Sequence, residues 1–123
     1  MMEKIRIFGG LFALLSVILG AFASHSLKNL LNDSALQSFE VGVRYLMYHG
    51  LALLFLSVIP IEGKKWVYRL FVSGTLIFSF SIFLLSIQSI IKLNLKWLGP
   101  ITPIGGSLLI IGWFIFIINA FKS

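Results

Sequence analysis

Leu70-Phe71-Val72-Ser73-Gly74-Thr75-Leu76-Ile77-Phe78-Ser79-Phe80-Ser81-Ile82-Phe83-Leu84-Leu85-Ser86-Ile87-Gln88-Ser89-Ile90-Ile91 holds no ionisable side chain over twenty-two consecutive positions. About twenty apolar residues cross a bilayer core as a helix, and backbone polar groups in lipid must be satisfied within the segment. This run is therefore read as a membrane-spanning helix, opening at about Trp66 and closing at Ile91. Three further runs read the same way: about Ile5 to Ser24, Val41 to Ile59 before Pro60, and Ile101 to Ala120. The expectation is an all-α protein, an integral membrane four-helix bundle forming one domain over residues 1–123.

Composition agrees. Of 123 residues, 59% are hydrophobic and 11% charged, against about a quarter charged in soluble domains. Four spans leave no room for a soluble catalytic domain. Most of the Lys and Arg residues behind the net charge of +6 stand singly or in pairs toward span ends, as anchors at anionic head groups. No basic stripe with interleaved aromatics suggests nucleic acid. The absence of cysteine excludes disulfides and thiolate chemistry.

Orientation follows from charge. Lys4, Arg6, Lys64, Lys65, Arg69 and Lys122 share the side of the termini; Lys28, Arg44, Lys92 and Lys96 share the other. The positive-inside rule places both termini in the cytoplasm of a plasma-membrane protein. Ala21-Phe22-Ala23 after an apolar run also resembles a signal-peptide cleavage site, but cleavage would leave an odd number of spans, and retention is expected.

Between helices in lipid, close approach through small residues replaces the hydrophobic drive. Span one carries Gly9, Ala13, Ser16, Gly20 and Ala23 on one stripe. Span three carries Gly74, Ser81 and Gln88, and span four Gly105, Gly112 and Asn119, each seven apart. Internal packing is the first reading, a homo-oligomer interface the second. The first loop, His25 to Glu40, reads as protruding helix ends or a short interfacial helix; Asn32-Asp33 signals a turn, and Ser34 with Gln37 fits a capping box.

Glu3, Asp33, Glu40 and Glu62 all lie at span ends or in loops, whereas a proton-coupled exporter places a carboxylate inside the membrane. The intramembrane candidates are Arg44 and His49, with His25 at the end of span one. Arg44 suits an ion pair with Glu40 one turn earlier, or snorkels to the head groups. His49, one turn after Tyr45, is read first as structurally hydrogen-bonded; a proton relay, a substrate contact, or a haem or metal ligand are the alternatives. His25 and His49 stand too far apart in an antiparallel hairpin, about 14 Å along the axis, to share one ion. His25 is expected to meet Glu40 or Arg44. At the start of span four, Thr102 reads as an N-cap and Pro103 as the first helical residue, with Gly105 and Gly106 open to a helix, a lipid or a ligand. Ordinary helix initiation is the first reading, a lipid or anion site the second.

At these residues the chain resembles a known family. Gly20-Ala21-Phe22-Ala23-Ser24-His25-Ser26-Leu27, Tyr45-Leu46-Met47-Tyr48-His49-Gly50-Leu51-Ala52-Leu53, Gly74 to Phe83, and Ile101-Thr102-Pro103-Ile104-Gly105-Gly106 followed by Gly112-Trp113 are similar, in order and spacing, to the small membrane proteins catalogued as domain of unknown function 423, which include YgdD-like and YwdK-like proteins. Departures are Ala23-Ser24 where the family has Gly-Ala, Leu46 where it has Gln, and Ser79-Phe80-Ser81 with Phe83 where it has Ser-Gly-Ser with Tyr. The resemblance implies a four-span membrane protein without an established activity and supplies no catalytic residues.

Three functions are weighed. The first is a non-enzymatic protein packing against membrane lipids or a partner membrane protein, without a cofactor. The second is a small oligomeric transporter or channel using the polar cluster around His49. The third is a membrane enzyme or a haem or metal carrier, supported by the histidines alone.

Overall fold

The computed structural model describes all 123 residues, Met1–Ser123. Four helices account for most of the chain: α1 (Met2–His25), α2 (Asp33–Val58), α3 (Lys64–Ile91) and α4 (Ile101–Lys122). Short 3-10 turns at Leu27–Asn29 and Lys96–Leu98 lie in the first and third connections. Each helix is long and apolar enough to span a membrane.

α2 begins well before the apolar run at Val41. The Asn32 side chain accepts a hydrogen bond from the Ala35 N–H at 2.8 Å, satisfying one free donor of the first turn. Asn32 is thus the cap, where Ser34 with Gln37 was expected to form one. The protruding-end reading of the first loop holds for α2, and the 3-10 turn tucks Leu27, 2% exposed, under the bundle.

The helices form two antiparallel hairpins joined along α2 and α3. In the first, Gly9 and Gly50 let backbones meet: a Cβ on Gly9 would lie 2.9 Å from the Gly50 carbonyl oxygen, and one on Gly50 3.0 Å from the Ala13 nitrogen. In the second, a Cβ on Gly74 would lie 3.1 Å from the Gly105 carbonyl oxygen. The glycines of the span-one, span-three and span-four stripes thus all face a neighbour within the chain. The central seam is held by the Ser79 hydroxyl donating to the Gly42 carbonyl at 2.8 Å and by Phe39 against Phe83, 4.8 Å between centroids.

α1 and α4 form the flanks. Only 22% and 17% of their apolar windows are buried, against 39% in α2 and 44% in α3. Exposed Leu14, Val17 and Ile18 on α1, and Ile110, Phe114 and Ile117 on α4, suit contact with acyl chains.

Candidate functional site

A groove runs between α2 and α4 with α3 as its floor. Three hollows follow one another along it. The first, about 510 Å³, includes Ser34 and Ser38 of α2, Ser86 of α3, and Thr102 and Pro103 of α4. The second, about 590 Å³, is lined by Tyr45, Tyr48, His49, Phe78, Gly106, Leu109, Ile110 and Trp113. The third, about 150 Å³, is wholly apolar, with Ala52, Phe55, Phe71 and Phe116 among its walls. Helical periodicity explains the continuity: Ser34, Ser38, Tyr45, Tyr48, Ala52 and Phe55 recur on one face of α2, as Thr102, Gly106, Leu109, Trp113 and Phe116 do on α4. No Asp, Glu, Lys or Arg lines any of the three.

His49 closes the middle hollow from the protein side and is 4% exposed. Its Nδ1 lies 2.8 Å from the Tyr45 carbonyl oxygen, and the Trp113 indole N–H donates to its Nε2 at 3.0 Å. A carbonyl accepts only and an indole donates only. The ring is therefore the neutral tautomer with its proton on Nδ1. Both nitrogens are occupied, so a metal or a second proton would have to displace Trp113. Phe71 meets the ring edge-on at 5.3 Å, Tyr45 stacks at 6.0 Å, and Tyr45 also meets Phe78 at 4.8 Å.

Of the residues singled out in the sequence, the structure gathers Tyr45, His49 and Gly106 in the middle hollow, and Thr102 and Pro103 at the polar end. It leaves the others outside. His25 ends α1 exposed, and no hydrogen bond or ion pair joins it to Glu40 or Arg44. Glu40 and Arg44 are exposed on α2 without the expected ion pair. Gly105 is buried in the α3–α4 seam against Phe78.

Thr102 is not the cap of α4. The helix begins two residues earlier than expected, at Ile101, with Pro100 at the N-cap and no side-chain cap. Pro100 has φ −68°, already suited to a helix start. The Thr102 hydroxyl instead shares a 2.6 Å hydrogen bond with Ser81, tying α4 to α3. Trp113, Phe78 and Ser86 went unassigned in the sequence. Ser81 and Trp113 each stood in a motif, but their partners lie 21 and 64 residues away, and nothing in the periodicity of one helix sets its rotation against another.

The arrangement is a four-helix membrane protein with a lateral groove and no assembled set of acids, bases or nucleophiles. The chain belongs to the family described as "Protein of unknown function (DUF423)", whose model matches residues 19–106. A UPF0382 membrane protein of Staphylococcus aureus is 41% identical over 124 residues, covering 98% of each chain. UPF0382 membrane proteins of Staphylococcus haemolyticus and Staphylococcus saprophyticus are 39% and 38% identical over 98% of this chain. No solved structure matches it.

Proposed function

We propose that this chain is a non-enzymatic membrane protein that binds lipid, seating an acyl chain in the groove between α2 and α4. The observation that carries this reading is the middle hollow: about 590 Å³, walled mostly by aromatic and aliphatic side chains, with its one histidine, His49, hydrogen-bonded at both nitrogens. A relay or a ligand site needs a free nitrogen, so the same observation counts against transport or metal binding at His49. Enzymes acting on lipids assemble several reactive groups at one depth, and the groove gathers none. In this reading the protein sits in the plasma membrane with both termini cytoplasmic, and the polar end of the groove faces outward.

The test is native mass spectrometry from mild detergent. The wild-type chain is expected to carry one lipid. Gly106→Leu is expected to carry none, because a Cβ there meets only Phe78 at 3.5 Å and a longer side chain extends into the hollow. A wild-type chain without lipid, or a Gly106→Leu chain that retains it, overturns the reading.

A further inference from the structure

The groove changes character at its loop end. Asn32, Ser34, Ser38, Ser86 and Thr102 give the first hollow a polar wall. The first turns of two helices border it: Ser34 and Ala35 belong to α2, and Thr102 and Pro103 to α4. First-turn N–H groups lack partners within the helix and carry the positive end of its dipole. Asn32 occupies one such group at α2; α4 has no side-chain cap at all.

An independent observation points to a ligand. Ser86 is 5% exposed, belongs to this wall, and its hydroxyl has no hydrogen-bond partner. Several helical serines return theirs to a carbonyl of their own helix, as Ser16 does to Phe12, Ser73 to Arg69 and Ser107 to Pro103, and buried Ser79 donates across to Gly42. A buried hydroxyl without a partner is costly; that of Thr75 is unpartnered too but lies at none of the three hollows, whereas Ser86 belongs to the wall of this one.

Charge and depth narrow the ligand. Asp33 and Glu40 are exposed on α2 but form no part of the wall, and exposed Lys28, Lys92 and Lys96 stand on the two connections at this end. Counting back from Val58, a core of about 30 Å at 1.5 Å per residue reaches roughly residue 38. The notch therefore lies at head-group level. From Ser38 to Tyr48 is about 15 Å, roughly half the core and so the depth of one leaflet.

We infer that the notch bordered by Ser34, Ser38, Ser86 and Thr102 binds the phosphate of a glycerophospholipid whose acyl chain lies in the groove beneath it. This rests on the lipid-binding reading above and adds the head group to it. The hydroxyls of Ser34, Ser38 and Ser86 and the first-turn N–H of Thr102 donate to the phosphate oxygens, while the Thr102 hydroxyl stays on Ser81.

The experiment titrates the full-length protein in mild detergent with phosphatidylglycerol, with diacylglycerol of the same acyl chains, and with inorganic phosphate, read by native mass spectrometry. Phosphatidylglycerol is expected to bind about tenfold more tightly than diacylglycerol, the worth of one charge-assisted hydrogen bond. Ser38→Asp, which puts a carboxylate on an exposed position of the wall, is expected to abolish that preference; Ser38→Asn is expected to keep it. Equal binding of the two lipids, both lost in Gly106→Leu, overturns the phosphate site and leaves the groove standing. Inorganic phosphate that binds alone and displaces phosphatidylglycerol overturns the lipid as its source. Lipid binding untouched by Gly106→Leu overturns the groove reading, and this one with it.

Discussion

His49 carries one of the few hydrogen bonds joining side chains of different helices, and its partner explains why a titratable ring is tolerated at that depth. Trp113→Phe keeps the aromatic packing on Phe71, 4.7 Å between centroids, but leaves Nε2 without a donor. The expected cost is about 1 kcal/mol, in the range of interhelical hydrogen bonds in membranes, read as a lower midpoint in thermal circular dichroism in detergent. His49→Leu combined with Trp113→Phe removes both partners and is expected to cost less than the sum of the single changes. The structural reading of His49 was available from the sequence, because a lone histidine among apolar residues usually finds a partner. The identity of that partner was not, since Trp113 reaches it only through the rotation of α4 over α3.

Among elements, the glycine stripes set how closely the hairpins close. Gly9 and Gly10 are neighbours in sequence with opposite surroundings: a Cβ on Gly9 meets the Gly50 carbonyl at 2.9 Å, whereas one on Gly10 meets nothing within 4 Å. Gly9→Ala is therefore expected to destabilise by about 1–3 kcal/mol through forced separation of two backbones. Gly10→Ala is expected to be neutral or to stabilise by up to about 1 kcal/mol through helix propensity. Thermal melts of the two variants in one detergent check the contrast. The stripe was legible as a helix-packing face because its period is that of a helix. Its partner was not, since a second copy would have fitted as well as α2. Helix starts were legible only in part: apolar runs mark where lipid begins, but α2 continues outward to a cap that hydropathy does not register.

Across the whole molecule, four spans followed from the distribution of charge. The groove did not, because it is made by three helices in a particular rotation. Its polar end and the termini lie at opposite ends of the bundle, which makes the proposed orientation testable. The chain has no cysteine, so a single one can be introduced as a reporter. In intact cells, Asn94→Cys in the third connection is expected to react with a membrane-impermeant maleimide, and Ser123→Cys only after permeabilisation. The reverse pattern would invert the protein and turn the notch toward the cytoplasm.

The pairing of neighbours in sequence bears on how the protein is made. α1 closes on α2, and α4 on α3, so the tightest seams join segments that leave the ribosome one after the other. Contacts so local form quickly. The first hairpin can lock its Gly9–Gly50 seam while α3 is still being translated. The second then needs only to dock along one side of α2, with no helix threading between two already in place. The groove is thus the last feature to be completed during biogenesis, and it takes shape inside a membrane already full of candidate occupants.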